Sequence, residues 1–224
     1  MRRTSHTLLR LLPHRIVGAV ILRARFSKFA STNGLVYFGL LLPSDNHETI
    51  RGFTAHTGQV DSFVIHGSVH GREVTILERT VTHTSSPSEP SRVHTHTWLI
   101  AAVKHGTHHA PELLLLSHTD LRLQDEAAAF HSSKSEVFAI DNRLEAEFHV
   151  YAKPASAQAF KDLSTQALID TLITEPSYDY EFDADSLYLY SNNDEPTMSD
   201  LNRILKTALL LAESYDTAIE KSPL

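Results

Sequence analysis

Two hydrophobic periods follow one another along this chain, and the changes of period mark its elements. Over residues 15–33, Val17, Val20, Ile21, Ala24, Phe29 and Ala30 recur at roughly helical spacing, which predicts a helix with these residues on its apolar face. Asn33-Gly34 supplies a left-handed stop. Residues 35–42 then read as a strand, ended by Pro43-Ser-Asp-Asn46.

From about Asp61 the period falls to two. Residues 62–69 and 72–83 flank His70-Gly71, a tight turn. Alternation in the second run puts Val74, Ile76 and Thr80 on one face and Thr75, Leu77 and Val81 on the other. Residues 84–91 form a turn-rich hairpin loop. Residues 93–104 and 112–118 return as strands around a loop over 105–111. Residues 120–142 are weakly patterned and predicted irregular. A strand follows over 145–151, with Ala146, Phe148 and Val150 on one face.

Lys153-Pro154 breaks that strand, and 156–173 reads as one helix ending before Pro176. Residues 178–182 and 186–190 form a hairpin around Asp183-Ala184-Asp185. The last helix begins near Thr197, where Thr197-x-x-Asp200 resembles a capping box with Asp in place of Glu. Leu201, Ile204, Leu205, Ala208, Leu211, Ala212 and Tyr215 make its apolar face. The fold class is α+β: an antiparallel β-sheet core with an N-terminal helix and two C-terminal helices packed on it. Residues 1–14 are expected to be a basic, disordered arm and 15–224 a single domain.

Charge sharpens this picture. The net −7 hides a gradient: residues 1–44 carry +7 with no acid, 45–111 carry −1, and 112–224 carry −13. The basic residues of the first part are Arg2, Arg3, Arg10, Arg15, Arg23, Arg25 and Lys28. Interleaved with Leu8, Leu9, Leu11, Leu12 and Phe26, they suit an anionic membrane surface or a protein partner, or docking onto the chain's own acidic part. The same composition, Arg-rich and acid-free, is that of an organelle transit segment. Nucleic acid is disfavoured, because the remaining acidic body repels phosphates. The longest apolar run, residues 16–22, is far short of the ~20 residues a membrane-spanning helix needs. With 0 Cys, disulfide frameworks, thiolate zinc sites and cysteine nucleophiles are excluded.

Three segments together resemble an uncharacterised group of bacterial α+β proteins, many of them membrane-associated. They are Phe29-Ala-Ser-Thr-Asn-Gly-Leu-Val-Tyr37, Thr95-His-Thr-Trp98 with the apolar strand Leu113-Leu-Leu-Leu116, and Tyr178-Asp-Tyr-Glu-Phe-Asp-Ala-Asp-Ser-Leu-Tyr-Leu-Tyr190 with the terminal helix. These are packing patterns covering about residues 20–217, and the resemblance implies the fold and no established activity. Relatives in that group often carry transmembrane helices, and this sequence shows none.

Histidine is the compositional outlier at 15 of 224, and seven fall between His94 and His131. His94-x-His96 on a strand projects from one face and suits a shared metal such as zinc. His83 completes the set only if the hairpin register pairs 83 with 94, because a one-residue slip brings Thr82 there. His105, His108 and His109 lie in the next loop. Asp179, Glu181, Asp183 and Asp185 alternate with Tyr178, Tyr180 and Phe182, and lack the spacing and glycine of a calcium loop. They are read as a solvated outer face. Gly67-Ser-Val-His-Gly71 lacks the order of a nucleophile elbow, and there is no P-loop or dinucleotide fingerprint. Two functions follow as expectations. The first is a non-enzymatic interaction domain, cytoplasmic and peripheral to the inner face of the membrane, with no cofactor. The second is a metal-dependent hydrolase with a histidine site on the central sheet.

Overall fold

The computed structural model describes residues 14–41, 59–84, 93–106, 111–119, 135–136, 140–183, 185–193 and 195–221. In chain order these form α1 (His14–Thr32), β1 (Val36–Leu41), β2 (Val60–Val69), β3 (Arg72–Thr84), β4 (Val93–Lys104), β5 (Leu113–Ser117) and β6 (Ser135–Glu136). They continue as α2 (Asn142–Glu147), β7 (Phe148–Ala152), α3 (Pro154–Leu163), α4 (Gln166–Thr174), β8 (Asp179–Phe182), β9 (Ser186–Ser191) and α5 (Met198–Lys221). The architecture is α+β, as the periodicity predicts.

All nine strands join one antiparallel sheet in the order β1-β2-β3-β4-β9-β8-β5-β7-β6. The first four form a meander. His70 and Gly71, with φ of 51° and 80°, make the two-residue turn between Val69 and Arg72. Left-handed backbone at both central positions matches the twist of a hairpin, and glycine adopts it without strain. Gly34, at φ 69°, likewise turns the chain from α1 into β1.

The helices lie over one face. Beneath them Val74, Ile76, Leu99, Ala101, Val103, Leu113, Leu115 and Leu189 pack with Phe26 and Phe29 of α1 and the apolar side of α5. All seven residues predicted for the α5 stripe are buried. Arg72 and the backbone N–H of Gly106 both donate to Asp216, at 2.5 and 3.2 Å, and fasten the far part of α5 to the sheet's end.

Two local expectations are corrected. Residues 145–147, expected as the start of a strand, instead end a helix over 142–147, because Asp141 accepts the N–H groups of Arg143 and Leu144 at 2.8 and 3.3 Å. Glu145 returns the contact by accepting Ile140 N–H at 2.7 Å. The helix predicted over 156–173 is two: Ser164 leaves helical geometry, and the Thr165 hydroxyl caps α4 by accepting Leu168 N–H at 3.3 Å. Three helices longer than two turns therefore follow β7, where the pattern predicts two.

The capping box of α5 forms reciprocally. Asp200 accepts the N–H and hydroxyl of Thr197 at 2.9 and 2.8 Å, while Thr197 accepts Asp200 N–H at 3.2 Å. Partial burial acts to raise the Asp200 pKa, but the Thr197 hydrogen bonds and Arg203 outweigh it, so the carboxyl sits below its ordinary value. A carboxylate with a depressed folded pKa stabilises the fold above its unfolded value near pH 4, and that contribution is lost as pH falls through the folded value. Thr197→Ala is expected to cost about 1 kcal/mol in denaturant melts at pH 7. The deficit of Asp200→Asn against the natural protein is expected to narrow as pH falls below about 4.

Candidate functional site

In antiparallel pairs directly opposed residues share a face, so register reads out the helix-free side of the sheet. Asp61, Arg79 and Trp98 align across β2, β3 and β4. Leu77, Ile100, Tyr190 and Asp179 align across β3, β4, β9 and β8. Ala102, Tyr188, Glu181, Leu114 and Tyr151 align from β4 through β9, β8 and β5 to β7. This face carries its own apolar cluster of Val64, Leu77, Val81, Trp98, Ile100, Leu114, Leu116, Tyr188 and Tyr190.

Charges are set into that cluster. Arg79, 0% exposed, donates from Nε and Nη2 to Asp61 Oδ1 and Oδ2 at 2.7 and 2.8 Å, a bidentate pair. The Tyr190 hydroxyl donates to Glu181 Oε2 at 2.7 Å, and Ser117 N–H donates to Asp179 Oδ1 at 2.7 Å. Burial pushes the Tyr190 phenol well up and the Glu181 carboxylate adds to it, against a smaller opposite pull from Arg79. Tyr188 is pushed up to about 12, mainly by burial, with a hydrogen bond to Ser186 opposing. Both phenols therefore stay protonated at neutral pH. Proton transfer from them is unfavourable there, and the arrangement is one that holds strands in register.

The acidic alternation of β8 is thus a correction. Asp179 and Glu181 do share the face opposite Tyr180 and Phe182, but they are 3% and 4% exposed rather than solvated. Tyr190 and Ser117 supply the donors that make their burial tolerable.

The described histidines are dispersed. His66 Nδ1 lies 2.9 Å from Thr75 Oγ1, and the His96 ring stacks on Trp98 with centroids 5.8 Å apart. His105 Nε2 donates to the Asp183 carbonyl at 3.1 Å. His118 Nδ1 donates to the Ala146 carbonyl at 3.2 Å, with its ring edge-on to His149 at 4.3 Å. The β3–β4 register does pair His83 with His94, the alignment that the three-histidine reading requires. The side chains of His83 and His94, and all of His108, His109 and His131, lie outside the described residues. Among the described residues no three His, Asp or Glu come together as a metal site.

The basic residues divide as well. Arg2, Arg3, Arg10 and the Arg15 side chain lie outside the described residues, while Arg23 and Lys28 are exposed on α1. Arg25 is half-buried and donates to the carbonyl of Pro196, just before α5. The apolar face expected for α1 is corrected. Phe26, Phe29 and Ala30, with Leu22, turn inward, whereas Val20 and Ile21 are 51% and 48% exposed and Ala24 is exposed beside them. The two aromatic rings bury more area than Val or Ile and select the orientation. The outward side of α1 is left with an apolar strip beside Arg23 and Lys28. Among the described residues no helix is long and apolar enough to cross a membrane.

The buried Asp61–Arg79 pair was not singled out by motif. Its signal lay in the alternation, which places Arg79 on the face of Leu77 and Val81, between two buried residues.

No protein-family model and no curated protein sequence matches this chain. Its fold is similar to the crystal structure of the mycobacterial trehalose monomycolate transport factor A, TtfA. The TM-score is 0.58 at 13% sequence identity, over 86% of this chain and 93% of that one. At such identity the likeness establishes a shared α+β fold across nearly the whole of both chains.

Removing one member of a buried ion pair strands the other charge. Arg79→Met alone is expected to lower unfolding stability by about 3–5 kcal/mol, with Asp61→Leu/Arg79→Met recovering most of that loss. Chemical denaturation of the three proteins checks it, and a double variant no better than the single would show that the pair stabilises in its own right.

Proposed function

We propose that the chain is a non-enzymatic interaction domain that lies against an anionic membrane surface through α1 and serves as an accessory factor in transport. The observation that carries this reading is the outward side of α1, where Val20 and Ile21 are exposed beside Arg23 and Lys28. A helix of this kind rests in the headgroup region, its apolar side chains removed from water and its cations near anionic lipid. The shared fold with TtfA, named as a transport factor, supports the accessory role. The reading puts the domain at the cytoplasmic face of the membrane, in keeping with the resemblance to membrane-associated bacterial proteins.

Deleting residues 1–28 would also remove Phe26 from the core, so surface substitutions make the cleaner test. The protein is expected to cosediment with phosphatidylglycerol vesicles and not with phosphatidylcholine vesicles. Val20→Asp/Ile21→Asp and Arg23→Glu/Lys28→Glu should each weaken binding roughly tenfold or more while leaving thermal unfolding nearly unchanged. Absence of binding by the natural protein, or binding indifferent to both variants, overturns the reading.

One observation favours a second reading, the register that pairs His83 with His94. In it His94 and His96, with His83 or a loop histidine, hold zinc with one position open to water, as a hydrolase would. It predicts near-stoichiometric zinc in tag-free protein by elemental analysis, lost in His94→Ala/His96→Ala. Folded protein that takes up no zinc on dialysis removes it.

A further inference from the structure

A groove of about 410 Å³ lies between α4 and the first half of α5, within the size range of small-molecule sites. Arg203, Lys206 and Thr207 line it from α5, and Glu175 lines it from the end of α4. Arg203 and Lys206 are three residues apart and so share one side of the helix. Arg203 lies over the Tyr178 ring at 5.9 Å and donates from Nη2 to Asp200 at 3.1 Å, which fixes its guanidinium and leaves other N–H groups to the groove. Lys206 is exposed and has no hydrogen-bond or ion-pair partner among the described residues. Thr207 is only 8% exposed, yet its hydroxyl makes no hydrogen bond among the described residues. A threonine hydroxyl in a helix ordinarily bonds back to a carbonyl one turn earlier, as Thr171 and Thr174 do at 2.8 and 2.6 Å. Thr207 instead offers an unused polar group to the groove wall.

We infer that this groove binds a small phosphate ester that also carries a hydroxyl. Guanidinium, ammonium and hydroxyl supply three kinds of donor from one helix side, suited to the several oxygens of a phosphate rather than to the two of a planar carboxylate. The Glu175 carboxylate accepts the hydrogen of the ligand's hydroxyl. The two cations offset Asp200 and Glu175, so the groove is near neutral within a segment, residues 112–224, that otherwise carries a large excess of acid. Free metabolite and lipid headgroup both present this chemistry.

The test uses the full chain at constant ionic strength, with sodium chloride replaced stepwise by glycerol 3-phosphate or by inorganic phosphate. At saturating glycerol 3-phosphate the melting temperature is expected to rise by roughly 5 °C, and less with inorganic phosphate. Lys206→Gln and Thr207→Val should each weaken the response about tenfold, whereas Lys221→Gln at the far end of α5 should not. If free phosphates give no shift but phosphatidylglycerol vesicles bind in a manner lost in Lys206→Gln and retained in Val20→Asp/Ile21→Asp, the headgroup is the source. No response to any of these probes, or one that Lys206→Gln and Thr207→Val leave intact, overturns the inference.

Discussion

Everything in this structure hangs on the antiparallel pairing of β4 with β9. Residues 36–104 supply one meander, and the later strands supply another group of five; only β4 and β9 join them among the described strands. The six pairs from Leu99–Ser191 to Lys104–Ser186 set the register of one group against the other. Because side chains alternate, a slip of one residue there would oppose Ile100 to Leu189 or Ser191 instead of Tyr190, and put the helix-side residues of one group on the helix-free side of the other. α5 lies on both strands, so the longest helix covers the joint that most needs protection from water. Its capping box begins the helix at the residue where the β9 connection delivers the chain.

A sheet with helices on one side usually leaves the other side wet, with polar residues at every second position. Here the second face is apolar and buried in its middle, and charges are embedded in it as satisfied groups. Asp61 with Arg79 and Glu181 with Tyr190 each join neighbouring strands, so each ties two backbones as well as two side chains. Such contacts add little net energy over well-packed apolar residues, but wrong registers are penalised because they strand a buried charge. The hydrogen bonds that hold Asp61, Arg79, Glu181 and Tyr190 make this group poor machinery for acid–base chemistry.

Much of this was legible in sequence. His70-Gly71, the Thr197–Asp200 box and the α5 stripe each depend on residues close together along the chain, and local rules find them. What escaped depends on competition. In α1 two apolar stripes share one helix, and only the tertiary partners of Phe26 and Phe29 decide which is buried. Over 145–147 an aspartate-capped helix outweighs a two-residue alternation, and at Ser164-Thr165 a hydroxyl cap divides a helix that periodicity makes continuous. The acids of β8 were placed on the correct face, but whether that face is wet depends on Tyr190 and Ser117, which lie on other strands. Register is the remaining gap: the pairing of His83 with His94 is a property of the whole β3–β4 hairpin and is not encoded at either residue.

The outward side of α1 and the groove beside α5 are linked by a hydrogen bond. Arg25 reaches from α1 to the carbonyl of Pro196, and Thr197 next to it opens the helix that carries Arg203, Lys206 and Thr207. α1 presents Val20 and Ile21 outward because Phe26 and Phe29 are turned inward, and Arg25 helps fix that rotation against the start of α5. Thr197 is held by Asp200, which also accepts from Arg203. The described basic side chains of α1 thus fall into two roles that composition alone merges: Arg23 and Lys28 face outward, and Arg25 ties the helix to the start of α5.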